Sequence, residues 1–184
     1  VPLSVNFHNI GIARKPDIVR DLRALFNIIY LFLKIQPAVV HTLMPKAGLL
    51  GMVAAAVCRV PVRLHTFTGQ TWSNSRGFKR WFLVFIDKII IKSATNVFCD
   101  GFGQRRFLVQ NNVVKSTDDI IVLGNGSVVG FDSGSLNGYE SHSTNQELRD
   151  RYNIRDDDFV ISHIARMTAD KGLIVVLEAF QALR

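Results

Sequence analysis

The sequence predicts an α/β protein built on a doubly wound parallel sheet, and three observations predict it. Stretches with helical apolar spacing alternate with short apolar runs across residues 18–123, joined by short connections. The short runs are continuously apolar, as expected of parallel strands covered on both faces. After a stretch rich in Gly, Ser, Asn and Thr at residues 124–145, a second α/β series begins.

The elements follow in order. Pro16-Asp17 precedes Ile18, Leu22, Leu25, Phe26, Ile29, Phe32 and Leu33, an apolar face that predicts a helix ending before Pro37. Residues 38–41 read as a strand. Pro45-Lys46-Ala47-Gly48 opens a small-residue helix over 49–58, whose alanines suit close packing on a sheet. Residues 60–67 read as the next strand, 79–92 as an apolar helix flanked by positive charge, 95–100 as a strand, 104–110 as a helix and 119–123 as a strand. Beyond the linker come a helix at 146–152, a strand at 159–165 and a helix from about Lys171. The division expected is a first domain over residues 1–135 and the start of a second over 136–184. Ligands of such a sheet sit beyond the carboxyl ends of its strands, here residues 41–46, 67–72 and 100–103.

Composition narrows the function classes. The 184 residues carry 22 Lys/Arg against 15 Asp/Glu, a net +7, with 48% apolar residues and five prolines, which excludes a disordered or fibrous chain. Cys58 and Cys99 form no C-x-x-C pair and no His/Cys cluster, so neither a disulfide framework nor structural zinc is expected, and a reducing, cytosolic compartment is the default. The longest apolar runs, 24–33 and 81–91, are short or broken by Asn27, Asp87 and Lys88, which argues against a membrane-spanning helix. Charge is uneven. Residues 1–115 hold 16 Lys/Arg against 4 Asp/Glu, a net +12, and residues 116–184 hold 6 against 11, a net −5. A basic first part suits a nucleic acid, an anionic lipid or a phosphorylated substrate, or is simply a solvated face.

One motif carries chemistry by itself. The predicted strand 159–165 runs into Arg166-Met167-Thr168-Ala169-Asp170-Lys171-Gly172, so a guanidinium and an ammonium straddle a strand-to-helix turn. With the free amides of the helix start they can converge on one diphosphate; the alternative is a pair of exposed loop charges.

Several separated segments together resemble the family 4 glycosyltransferases of GT-B fold. His41-Thr42-Leu43-Met44-Pro45-Lys46-Ala47-Gly48-Leu49-Leu50-Gly51 resembles the family's V-H-T-H-x-P-K-A-G-x-L-G segment. Pro61 through Trp72 is similar to the strand and loop that follow it. Gly124-Asn125-Gly126 with Asp132 resembles the N-G-x-D hinge, and Ile164-Ala165-Arg166 through Lys171-Gly172, then Leu177-Glu178-Ala179-Phe180, resembles G-R-L-x-x-x-K-G and L-x-x-A-F. The resemblance implies two Rossmann-like domains facing a cleft, the first contacting the acceptor and the second the nucleotide sugar. Arg166 and Lys171 would bind the donor's diphosphate and stabilise charge on the departing nucleotide. Transfer with retention of configuration, without a metal ion or a tightly bound cofactor, is implied as well. Asn125, Gly126 and Asp132 would form the interdomain hinge. His41, Lys46, Gly48, His65, Thr68 and Gly69 are the acceptor or cleft candidates, although His41 and His65 at strand ends also fit buried, satisfied histidines.

The chain departs from the family pattern in three places. The glycine-rich loop and first strands of the family do not occur in it. The E-x7-E pair is also missing, since Glu140 and Glu147 are spaced E-x6-E in the linker region, and the catalytic residues are therefore not named. Thr68 stands where many members carry His. The chain thus reads as an internal piece of a longer protein, with an apolar sheet edge and face left open and poor solubility expected.

Arg76-Gly77-Phe78-Lys79-Arg80-Trp81-Phe82-Leu83 interleaves cations with aromatics. Arg76, Lys79, Arg80 and Trp81 are candidates for contact with an anionic membrane surface, the alternative being a core helix after a solvated basic turn. The function expected is sugar transfer from a nucleotide-diphosphate sugar to a lipid-linked or polysaccharide precursor at the inner face of the cytoplasmic membrane, with no nucleic acid partner. His65-Thr66-Phe67-Thr68-Gly69-Gln70 resembles galactosyl- and N-acetylgalactosaminyltransferase-like members of bacteria. The alternatives are a nucleotide-sugar 2-epimerase on the same scaffold and a noncatalytic basic α/β module binding anionic lipid or nucleic acid.

Overall fold

The computed structural model describes residues 5–13, 16–127, 142–168 and 171–183, with the side chains of 142–145 excepted. It divides into two compact units, Val1–Phe131 and Asp132–Arg184.

The first unit is an α/β layer structure. Helix α1 (Ile18–Ile35) starts where Asp17 accepts from the Arg20 amide (3.0 Å) while Asp21 accepts from the Asp17 amide (3.2 Å), a reciprocal cap that satisfies two otherwise orphaned donors. It stops at Gln36, whose left-handed backbone precedes Pro37. Strands β1 (Val39–Leu43), β2 (Val62–Phe67) and β3 (Asn96–Cys99) form a parallel sheet in the order β1-β2-β3. Between them lie α2 (Pro45–Val57), with proline at its first position, and α3 (Gly77–Ser93); α4 (Phe102–Gln110) follows β3.

Packing follows from side-chain size. Ala24 and Ile28 of α1 bury against Leu50 and Ala54 of α2, and Met52 and Ala55 of α2 bury with Val40, Val60 and Ile90. A third cluster gathers Phe67, Trp72, Val97, Cys99 and Leu108 with Val113, Val114 and Ile120. The small residues of α2 let it sit close to the sheet. An added Cβ on Gly48 would lie 2.4 Å from His65 Cε1, and one on Gly51 would lie 2.7 Å from Thr42 Cγ2.

The sheet was expected to be covered on both faces. One face is packed under α2; on the other, β1 is open, while Thr66 of β2 is buried and Leu64 and Phe98 are half-buried. The residues of β1 alternate exposed and buried, with Val40 and Thr42 under α2 and Val39, His41 and Leu43 exposed on the other side. Val62 and Asn96 are exposed on that same face by register.

Two expected strands do not form as strands. At 119–123 only Ile121 pairs, bridging Phe98 through the Cys99 amide to Ile121 O (3.0 Å) and the Ile121 amide to Val97 O (2.8 Å). Ser116 and Asp119 cap a 3-10 turn over Thr117–Asp119, and Gly124 turns the chain with a φ of +51°, so too few residues remain extended between them. In the second unit, residues 159–165 have no strand conformation and are exposed. No other strand occurs among the described residues of that unit, so its backbone groups have no ladder to join. The unit contributes α5 (His142–Arg151), which begins within the expected linker, and α6 (Leu173–Ala182). The core of the expected linker, residues 128–141, lies outside the described residues.

Candidate functional site

The loops at the carboxyl ends of β2 and β3 border a shallow, open pocket of about 370 Å³, lined by Thr68, Gly69, Gln70, Ser73, Asp100, Gly103, Gln104 and Phe107. Thr68 and Gly69 are exposed on its rim, and Gly69 has a φ of +136°, a backbone state that favours glycine. Gln104, in the first turn of α4, ties the two loops together: its Oε1 accepts from the Asp100 amide (2.9 Å) and its Nε2 donates to Gln70 Oε1 (3.1 Å). Gln70 Nε2 and Asp100 Oδ1 are buried without a hydrogen-bond partner in the protein. Both residues line the pocket, but these two atoms are shielded from solvent and do not open into it; the exposed groups at its rim are those of Thr68 and Gly69.

A second cavity of about 720 Å³ shares Ser73 and Phe107 with the first and adds Asn74, Ser75, Arg76, Gly77, Arg80 and Asn111. The loop between the two is fixed by Trp72, which is fully buried. Its indole donates to Asp87 Oδ2 (2.7 Å), its ring stacks on Phe107 at 5.3 Å, and the Arg80 guanidinium lies 5.0 Å from its centroid. Burial pushes the Asp87 carboxyl up to about 6, against the lowering effect of the indole hydrogen bond. Arg80 also donates to Asn111 Oδ1, so of the four membrane-surface candidates Arg80 faces inward while Arg76, Lys79 and Trp81 are exposed.

His41 and His65 belong to a polar cross-strand pair of contacts. His65 is buried, its Nδ1 2.8 Å from Thr42 Oγ1, and its ring meets Phe67 edge-on at 4.6 Å. Burial, then the neighbouring His41, holds its pKa down to about 4, so it is neutral near pH 7. His41 is on the exposed face, with Nε2 2.8 Å from Thr66 Oγ1. Gly48 is the contact that seats α2 over His65. Lys46 ties α2 to the segment before it: Nζ lies 2.6 Å from Asp21 Oδ1 and donates to the Ala13 carbonyl (2.7 Å). The Lys46 ammonium bonded to Asp21 holds that carboxyl below its ordinary value. Met44, between β1 and α2, has a φ of +69°, a strained state for a residue with a side chain.

In the hinge segment, Asn125 and Gly126 lie in a turn beyond Ile121. Gly126 has a φ of +100°, and a Cβ there would lie 2.5 Å from the Asp100 carbonyl oxygen, so only glycine fits against the β3 loop. Asp132 lies outside the described residues. In the second unit, Arg166 and Lys171 are exposed and flank a turn in which the Thr168 amide donates to Arg166 O (2.8 Å) and the Lys171 amide to Thr168 O (3.0 Å). Gly172, with a φ of +76°, then starts α6.

Trp72, Asp87, Gln104, Phe107 and Asn111 were not singled out by the sequence. Asp87 gave the one usable signal, being the only acidic residue in α3.

Two comparisons bear on identity. A glycosyl transferase 4-like domain family matches residues 1–126. The capsular polysaccharide biosynthesis glycosyltransferase CapM of Staphylococcus aureus is 30% identical over 177 residues, covering 96% of this chain. The chain spans 45% of the length of that relative. With an α/β parallel-sheet unit over the matched residues and the carboxyl-end cavities in place, the chain belongs to the glycosyl transferase 4-like family of the GT-B, Rossmann-like class.

Proposed function

We propose that this chain is part of a glycosyltransferase of polysaccharide biosynthesis that moves a hexose, of galactosyl or N-acetylgalactosaminyl type, from a nucleotide-diphosphate sugar to a lipid-linked or polysaccharide precursor. The observation that carries the reading is the alignment with the capsular polysaccharide glycosyltransferase, which runs through both units. In this reading residues 1–135 serve the acceptor and residues 136–184 begin the nucleotide-sugar domain. The bond from the anomeric carbon to the diphosphate breaks, a bond to an acceptor hydroxyl forms on the same face of the sugar, and the hydroxyl proton is released.

The residues divide by chemistry. Arg166 and Lys171 supply fixed positive charge for the departing diphosphate, a contribution that grows as the leaving group ionises and so favours the transition state over the ground state. This needs neither a metal nor a tightly bound cofactor. Thr68 and Gly69, exposed on the rim of the pocket at the carboxyl ends of β2 and β3, offer a hydroxyl and backbone groups to the acceptor. His65, neutral and buried under α2, positions the β1 and β2 loops and does not exchange protons with substrate. A precursor built on lipid places the protein at the inner face of the cytoplasmic membrane. No helix among the described residues is long and apolar enough to cross one.

Thermal-shift titration of the protein extended to the length of its relative, with UDP, GDP and ADP, tests the donor assignment. One nucleotide should stabilise it with a micromolar midpoint, worth about 2.7 kcal/mol at a hundredfold excess over Kd, and the Arg166→Ala/Lys171→Ala variant should lose the shift. A folded full-length protein that none of the three stabilises overturns it.

A further inference from the structure

Helix α3 carries Phe78, Trp81, Phe82 and Phe85 at spacings that place them on one stripe. All four are exposed, at 77, 61, 47 and 48%, while other positions of the helix supply Ile90 to one buried cluster and half-buried Leu83 and Val84 to another. The rings stack on each other: Phe78 on Trp81 at 5.6 Å, Phe78 on Phe82 at 6.4 Å, and Trp81 on Phe85 at 5.8 Å and nearly parallel. By the same spacing Lys88 and Lys92 continue the stripe, and both are exposed. Lys79 flanks it and Arg76 precedes it. The helix's one carboxylate, Asp87, is buried and bonded to Trp72.

We propose that this outward face of α3 is the surface by which the protein docks on an anionic lipid bilayer. The proposal rests on the reading above that the acceptor is lipid-linked, and it names the surface that meets the lipid. Two features select a bilayer. Stacked aromatics flanked by lysines, with no exposed acid on the helix, match the interfacial zone, where rings enter below the headgroups and ammonium groups stay among the phosphates. A two-fold contact with a second copy would instead bring the cations of one stripe against those of the other with no carboxylate between them.

The test uses the whole chain with vesicles of phosphatidylcholine alone and with about 30% phosphatidylglycerol. Because Trp72 is fully buried, quenching by brominated lipids reports on Trp81. Binding to the anionic vesicles should be about 10-fold tighter or more and should weaken in about 0.5 M salt. Trp81 should be quenched on binding. Phe78→Ser/Phe82→Ser/Phe85→Ser should weaken binding about 10-fold, and Lys79→Gln/Lys88→Gln/Lys92→Gln should abolish the anionic preference. Equal partition to both vesicles, an unquenched Trp81 in the unmodified chain, or a folded triple-serine variant that binds like its parent would overturn the proposal. So would a dimer in vesicle-free solution that the triple-serine substitution converts to monomer, which would assign the stripe to a second copy. Nucleotide stabilisation measured on the same variants of the extended protein separates the two readings: if it persists while vesicle binding is absent, the docking surface fails and the donor assignment stands.

Discussion

The two units of this chain have similar apolar material and use it differently. In the first, α1, α2 and α3 bring Ile28, Met52, Ala54, Ala55 and Ile90 to less than a tenth of their full exposure. In the second, α6 reads Leu-Ile-Val-Val-Leu-Glu-Ala-Phe-Gln-Ala, more apolar than α1, yet none of the second unit's described side chains is buried, and Ile174, Val175, Leu177 and Phe180 are more than half exposed. What differs is the partner surface. Three parallel strands give α2 and α3 a sheet face to pack on, whereas among the described residues the apolar run at 159–165 has no strand to pair with and no sheet face to join. Apolar composition drives burial only where a complementary surface exists to receive it.

The comparison breaks most easily at Gly48. A methyl added there must displace the buried His65 ring, so Gly48→Ala should destabilise the first unit by about 3 kcal/mol, overpacking that lowers Tm by roughly 10 °C. Gly172→Ala in the second unit meets nothing within 4 Å and strains only a φ of +76°, at a cost of about 1 kcal/mol. Melting curves of the two variants should differ accordingly; equal losses would mean that α2 does not rest on His65 as closely as described.

The next effect is electrostatic and confined to the first unit. Asp87, raised to about 6 from 3.8, binds a proton more readily folded than unfolded, so its contribution is complete below pH 4 and is lost as pH rises through 6. His65, lowered to about 4 from 6.5, works in the opposite sense: its contribution is complete above pH 6.5 and is lost as pH falls through 4. The two slopes oppose each other between about pH 4 and 6. Asp87→Asn keeps an acceptor for the Trp72 indole and removes the buried charge, so it should preserve or raise stability at pH 7.5 by up to about 2 kcal/mol. It should also unmask the His65 slope, with stability climbing steadily from pH 4 to 6.5 in denaturant titrations. A variant whose profile matches the parent's would show that Asp87 does not titrate in that window.

Local signals were readable and long-range ones were not. Asp17 and Pro37 bracket α1, and Pro45 opens α2, because caps and breakers act over a few residues. The apolar runs of β1, β2 and β3 were legible for the same reason. The runs at 119–123 and 159–165 look alike as sequence, but pairing depends on whether a neighbour arrives, which periodicity does not encode. At the site, Thr68 and Gly69 fall at the end of β2, as strand position implies. The support beneath them joins Trp72 to Asp87, Phe107 and Arg80 across the chain, and no local pattern announces such a contact. Lys46 shows the same limit: its spacing suits an anionic ligand, and the fold gives its ammonium the carboxylate of Asp21, from the preceding helix.

The smallest effects should come from the second unit, and they sharpen the contrast best. Ile164 is 96% exposed in a segment without a ladder, so Ile164→Ser removes no buried contact and should change stability by less than about 0.5 kcal/mol. Ile90→Ala, which truncates a fully buried side chain of the same type, should cost about 2 to 5 kcal/mol because a cavity is left behind. The ratio of the two losses measures how much of the chain's apolar content stabilises the fold. A loss at Ile164 approaching that at Ile90 would mean that the run at 159–165 packs against a covering surface, as α2 does in the first unit.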